Sequence, residues 1–87
     1  MNAKQLKEFM RRYAGSQGFQ LNPDEKTVGS VIRGLLYNEE KFGRRYCPCR
    51  AITGDPEQDR TIICPCAYHK DELERMGHCL CGLFVKS

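Results

Sequence analysis

The sequence predicts a mainly α, small single domain, in which short helices form a scaffold for C-terminal loops organised around sulfur chemistry. Three observations carry that expectation. Residues 1–46 hold two stretches with apolar side chains at three- and four-residue spacing, the period of a helix with one buried face. All six cysteines fall beyond them as three Cys-x-Cys pairs: Cys47-Pro48-Cys49, Cys64-Pro65-Cys66 and Cys79-Leu80-Cys81. And a chain of 87 residues buries a limited core, so metal or covalent constraint is expected to supplement it. The unit is expected to span 1–87, with 1–46 as scaffold and 47–84 as the sulfur-bearing region.

From Ala3 to Tyr13, Leu6, Phe9, Met10 and Tyr13 share one helix face, and Lys4, Lys7, Glu8, Arg11 and Arg12 occupy the others. Gly15 and Gly18 are expected to end that helix. Its cations read as a solvated face with a Glu8 to Arg12 pair, or as a docking surface for an acidic partner. A second helix is expected at Asn22-Pro23-Asp24-Glu25, with a capping residue, proline in the first helical position and acids where the macrodipole favours them. Val28, Val31, Ile32, Leu35, Leu36 and Phe42 make its buried stripe. Gly29 and Gly34 each cost about 1 kcal/mol relative to alanine, which leaves open the close packing of another element there. Gly43 is the expected stop, with Lys41, Arg44 and Arg45 at the end that suits cations.

Arg44, Arg45 and Arg50 flank the first cysteine pair. Positive charge there either caps the helix or favours a thiolate on a nucleophilic cysteine. Asp55 and Pro56 open a further short helix, with Gln58 at capping-box spacing. Thr61-Ile62-Ile63 brings apolar cover to Cys64. Lys70 to Met76 suits another short helix stopped by Gly77, followed by the apolar end Leu83-Phe84-Val85.

The formal net charge of +3 is modest and spread among alternating signs, so nucleic-acid binding is not expected. With a mean hydropathy of -0.60, no long apolar run and no charged-then-apolar leader, the chain reads as cytoplasmic, with no membrane association. Three disulfides of a secreted domain would leave the first 46 residues unstapled, and a reduced cytosol favours metal-binding or catalytic cysteines instead.

Six sulfurs are two more than a tetrahedral zinc site or an iron-sulfur cluster needs, which suggests four ligands and one redox-active pair. Zinc knuckles use a two-residue spacer, absent here. A one-residue spacer allows two thiolates on different irons of one cluster, or one bound and its neighbour free to react. Pro48 and Pro65 fix the backbone and each remove an amide donor. A structural zinc module with two spare thiols and a simple 4Fe-4S electron carrier with two inert ones remain alternatives. Spacing does not choose the pair.

Cys47-Pro48-Cys49-Arg50, Cys64-Pro65-Cys66 and Cys79-Leu80-Cys81-Gly82-Leu83-Phe84 resemble, in order, the C-P-C, C-P-C and C-H-C-x-L-F motifs of the catalytic chain of ferredoxin:thioredoxin reductase. That resemblance implies helices packed around a 4Fe-4S cluster held by the C-terminal loops, with Cys47, Cys64, Cys66 and Cys79 as ligands. It leaves Cys49 and Cys81 as the redox disulfide, Cys49 being the thiol that attacks substrate and Cys81 the one against the cluster. It implies ferredoxin as electron donor, thioredoxin or a similar disulfide protein as substrate, and a small partner subunit or a homo-oligomer as the assembly. The family histidine between the last two cysteines is Leu80 here. His78, just before Cys79, or His69 is then the candidate proton donor, because histidine titrates near physiological pH. The segment from Ala67 to His78 is longer than in the plant and cyanobacterial pattern.

Overall fold

The computed structural model describes residues 2–86; Met1 and Ser87, the two ends of the expected unit, lie outside them. Helix α1 spans Ala3–Gln17. It starts at a capping box in which Asn2 Oδ1 accepts from the Gln5 N–H at 2.8 Å and Gln5 Oε1 accepts from the Asn2 N–H at 3.0 Å. It passes through Gly15 and stops at Gly18, whose φ of 86° is the left-handed conformation that glycine adopts at low cost. The extra turn beyond Tyr13 buries Ala14 in line with Leu6 and Met10. Phe9, expected on that face, is instead 46% exposed. Glu8 pairs with Arg11 and with Arg12 at 3.2 Å, which makes the charged side a solvated face.

Helix α2 covers Glu25–Phe42. Its cap is Asp24, which accepts from the Lys26 N–H at 3.1 Å, so Pro23 precedes the cap rather than occupying the first turn. Asn22 is used elsewhere: its Oδ1 accepts from the Asp24 N–H, and its Nδ2 donates to the Gly82 carbonyl at 2.9 Å. Val28, Val31, Ile32 and Leu35 are buried as expected, Leu36 is partly buried, and Phe42 is exposed beside the Gly43 stop.

The short helices α3 (Pro56–Asp59) and α4 (His69–Met76) form where capping and periodicity placed them, with a single 3-10 turn at Arg60–Ile62. Asp55 caps α3, and Gly77 ends α4 at φ 80°. Asp59, buried, holds the loop before α3 by accepting from the Thr53 N–H, the Thr53 hydroxyl and the Gly54 N–H at 2.9, 2.9 and 3.0 Å.

The mainly α expectation holds, with one addition. Strands β1 (Phe19–Leu21) and β2 (Phe84–Lys86) pair antiparallel in the register Phe19↔Lys86, Gln20↔Val85 and Leu21↔Phe84. Three residues are too few for alternation to be visible, and the partner lies at the other end of the chain. This ribbon seats Phe84 between Phe19 and Tyr13, with ring centroids 5.2 and 5.7 Å away. The core runs from Leu6, Met10 and Ala14 through the α2 stripe to Leu73, Leu83 and Phe84, and reaches Cys64 and Cys79. Among the described residues no helix is long and apolar enough to cross a membrane.

Candidate active site

Each cysteine pair is set by a local turn. The first pair follows an antiparallel bridge between Tyr46 and Ile63, where the Cys47 N–H donates to the Ile62 carbonyl at 2.7 Å and the Cys64 N–H donates to the Arg45 carbonyl at 2.9 Å. This bridge lays the first two pairs side by side. The chain then turns at Cys47–Arg50, closed by the Arg50 N–H on the Cys47 carbonyl at 3.1 Å. A matching turn, closed by the Gly82 N–H on the Cys79 carbonyl at 2.9 Å, holds the third pair. In both turns the first cysteine is more buried than the one two residues later. Cys47 and Cys79 are buried, whereas Cys49 is exposed and Cys81 half-buried. In the second pair the turn begins only at Cys66, and Cys64 and Cys66 are both buried. The Cys64-Pro65 peptide is cis.

Cys47, Cys64, Cys66 and Cys79 line one internal cavity, closed by Leu83, Phe84 and His69. Cys81 lines it too, and also lines an open groove of about 520 Å³ shared with Cys49, Pro48 and the α2 residues Lys26, Ser30 and Val31. Cys81 is thus the sulfur between the interior and the surface. Its sulfur interacts with those of Cys47 and Cys49. The interaction with Cys81 is the main reason the Cys47 thiol falls to about 7, against its burial. The same pairing, with burial, raises Cys81. Burial raises Cys64 and Cys79, and the neighbouring sulfur charge adds to it.

Arg50 is the cation in hydrogen-bond contact with these sulfurs among the described residues. Arg50 donates through Nη2 to Cys66 Sγ at 3.8 Å and to Glu72 Oε2 at 2.5 Å, with its guanidinium 4.7 Å from the Tyr68 ring centroid. Burial works against its charge, but Glu72 and Cys66 outweigh that and raise its pKa. Glu72 Oε1 in turn accepts from the Leu80 N–H at 3.2 Å, which links the turn of the first pair to that of the third. The expected basic trio is thereby divided. Arg45 pairs with Glu39 at 2.9 Å, Arg44 is exposed, and only Arg50 touches a cysteine sulfur.

The two histidines part ways. His69 is buried: its Nδ1 bonds the Cys66 carbonyl and its Nε2 lies 2.8 Å from the Tyr13 hydroxyl. A carbonyl only accepts, so Nδ1 carries the proton, and in the neutral ring Nε2 accepts from Tyr13. His78 is exposed, with Nδ1 bonded to the Cys79 carbonyl at 2.8 Å, and it lies outside both the cavity and the groove. Sequence reading missed Glu72. An acid in the first turn of a short helix looks like a favourable interaction with the helix end, and only the fold aims it at Arg50 and Leu80.

The family described as Ferredoxin thioredoxin reductase catalytic beta chain matches residues 1–87. The chain belongs to that family. A relative, the "Ferredoxin-thioredoxin reductase, catalytic chain" of Porphyra purpurea, is 28% identical over 86 residues, covering 97% of this chain and 70% of that protein. The chain is accordingly an oxidoreductase.

The donor set of this chain suits an iron-sulfur cluster. Four buried thiols on three loops, apolar walls from Leu83 and Phe84, and the Arg50 charge beside Cys66 are what an anionic cluster takes from a protein. The cavity itself is narrow, about 10 Å³, so the fit rests on the donors rather than on volume. Among the described residues no three His, Cys, Asp or Glu side chains are arranged to hold a metal ion.

Proposed function

We propose that this protein is a ferredoxin-dependent disulfide reductase of the cytoplasm, in which Cys47, Cys64, Cys66 and Cys79 hold a 4Fe-4S cluster and Cys49 and Cys81 form the disulfide that reduces thioredoxin or a thioredoxin-like protein. The observation that carries this reading is the division of the sulfurs: four are buried around one cavity, one is exposed, and Cys81 borders both environments. When bound, the cluster supplies single-electron transfer from a donor that cannot deliver two at once.

The chain's own residues do the rest. Two electrons and two protons convert the Cys49 to Cys81 bond to a pair of thiols. Cys49, exposed in the groove, attacks one sulfur of the substrate disulfide as a thiolate, and a substrate thiolate leaves. Cys81, held beside Cys49, then attacks the Cys49 sulfur of the mixed disulfide. The second substrate thiol departs and the enzyme disulfide is restored. Arg50 and Glu72 keep the two turns in register by bridging Cys66 to the Leu80 amide. The driving force is adequate, since a plant-type ferredoxin near about -400 mV and thioredoxin near about -270 mV differ by ~6 kcal/mol over two electrons. His69, buried near the sulfurs, is better placed than His78 to influence the site, although its bonds to Cys66 and Tyr13 make its first role structural.

Anaerobic purification with iron, sulfide and zinc analysis, coupled to thioredoxin reduction by reduced ferredoxin, tests the proposal. Cys49→Ser is expected to keep iron and colour and to lose turnover, whereas Cys64→Ser loses iron. Equal iron loss in both variants would refute the roles assigned. A colourless protein with one zinc would point to a structural module, and a cluster protein that gains no reactive thiol pair on mild reduction would be a simple electron carrier.

A further inference from the structure

We propose that Gly34 and Asn38, one helical turn apart on α2, are positioning residues that fix where Cys49 stands relative to Cys81. The inference rests on Cys49 and Cys81 being the redox pair proposed above. A Cβ at Gly34 would lie 2.8 Å from Pro48 Cβ and 3.0 Å from Pro48 Cγ, closer than packed carbons tolerate. The proline of the first Cys-Pro-Cys is therefore seated on bare helix backbone. One turn along, the buried Asn38 donates through Nδ2 to the Tyr46 carbonyl at 2.7 Å.

The spacings agree. Four residues of helix rise about 6 Å, and two residues of extended chain span about 6.6 Å, so residues 34 and 38 can grip 48 and 46 without bending the segment. The same segment is also held by the Cys47 N–H on the Ile62 carbonyl and, just before it, by the Cys64 N–H on the Arg45 carbonyl. One turn further toward the start of α2, Ser30 and Val31 line the groove that holds Cys49 and Cys81. The segment from Tyr46 to Cys49 is thus fixed by both sets of contacts, and the freedom left at Cys49 depends on how deeply Pro48 sits.

A side chain at position 34 forces Pro48 outward and carries Cys49 with it, away from Cys81. The bond between them then becomes harder to form, and a more oxidising buffer is needed to close it. Asn38→Ala frees the Tyr46 carbonyl and is expected to act in the same direction with a smaller effect. Gly29 is the internal control, because its Cβ would meet only the Arg33 guanidinium, at 3.5 Å.

The experiment equilibrates the anaerobically purified protein in glutathione buffers, quenches with acid, alkylates free thiols and quantifies the peptide linked through Cys49 and Cys81 by mass spectrometry. Gly34→Ala should shift the glutathione ratio at half-oxidation by about tenfold, and Gly29→Ala by less than about twofold. In a Pro48→Gly background, which removes the ring that position 34 would strike, Gly34→Ala should lose most of its effect. If the unaltered protein forms no Cys49 to Cys81 link, the redox-pair reading fails and the positioning roles fall with it. If the link forms but Gly34→Ala and Asn38→Ala leave its equilibrium unmoved, or Gly34→Ala acts equally in both backgrounds, only the positioning roles are overturned. Should Gly34→Ala not fold, Asn38→Ala alone decides by the same readout.

Discussion

Removal of the charge on Glu72 is expected to be among the most damaging single changes to the stability of this domain. Its side chain is 8% exposed and that of Arg50 17%, so the pair lies largely out of water. Glu72→Gln keeps an oxygen for the Leu80 N–H and removes only the charge, which leaves the guanidinium buried with Cys66 as its remaining polar partner. Breaking one side of a buried pair costs about 3–5 kcal/mol. Because neither side chain is fully enclosed, the lower end applies, about 3 kcal/mol. Glu72→Leu also deprives the Leu80 amide of its acceptor and should cost about 1 kcal/mol more. With a denaturant slope of about 1 kcal/mol per M urea for a small domain, the midpoint should fall by about 3 M for Glu72→Gln. The assay is anaerobic urea unfolding followed by near-UV circular dichroism, with slopes compared between variants. The double variant Arg50→Met with Glu72→Leu should recover most of the loss, since apolar residues of similar volume replace a buried ion pair at little net cost. A loss below about 1 kcal/mol in Glu72→Gln, or a double variant no better than the single, would mean that solvent screens the pair and that it does not hold the two turns together.

Phe84→Ala empties the space between Tyr13, Phe19 and His69 and should cost about 3–5 kcal/mol by the same assay, with loss of the near-UV signal from the remaining rings. Gly82→Ala places a Cβ at a φ of 77° and 3.3 Å from Thr27 Cγ2, so a loss of about 1–2 kcal/mol is expected, and a neutral result would show that the loop relaxes. The Thr53 N–H, more than any other contact, holds the Asp59 carboxyl below its usual range. A lowered folded-state value adds stability above the unfolded value, about 3.9, that is lost as pH falls through the folded one. The urea midpoint of the native protein should therefore drop at acid pH by a component that Asp59→Asn lacks, and parallel pH profiles would show that the carboxylate adds nothing.

Local signals in the sequence located the helices because their determinants are local. Asp55-Pro56, the α2 stripe and the glycines at 43 and 77 each act within a turn of chain. Errors came where a distant partner decides. Phe9 lies beside Leu6 and Met10 in helical projection, yet the stripe that reaches the core is Leu6, Met10 and Ala14, because the ribbon of β1 and β2 packs toward Tyr13. Pro23 and Asn22 look like a helix start, but Asn22 is held by Gly82, sixty residues on, and the cap passes to Asp24. Glycine at 34 left close packing open, and the structure supplies the neighbour in Pro48; the same signal at Gly29 has no such neighbour. His69 and Glu72 carry no sequence mark of burial, since three residues of separation on α4 reveals nothing until Tyr13 and Arg50 face that helix.

The Cys-x-Cys spacing by itself treats all three pairs alike, and the turns tell them apart. In an extended strand, residues two apart point to the same face, so every pair would present both sulfurs together. The second pair does bury both sulfurs, but not as a strand: its chain bends at Cys64 and Pro65, and the Ala67 N–H returns to the Thr61 carbonyl at 2.8 Å. The first and third pairs begin their turns at the first cysteine, which leaves the second less buried in each case. Two turns of the same form therefore leave Cys49 exposed and Cys81 at the border of the cavity, and the fold brings both to one groove. The third turn needs a left-handed residue at Gly82, and the first needs the bare surface of Gly34 beneath Pro48. The different burial of six chemically identical side chains thus follows from the local path of each loop. Moving the start of the first turn by one residue, by inserting an alanine between Tyr46 and Cys47, should place Cys47 outside the cavity and abolish iron binding. An insertion variant that still binds iron with four cysteines would show that the sulfurs are selected by the metal rather than by the backbone.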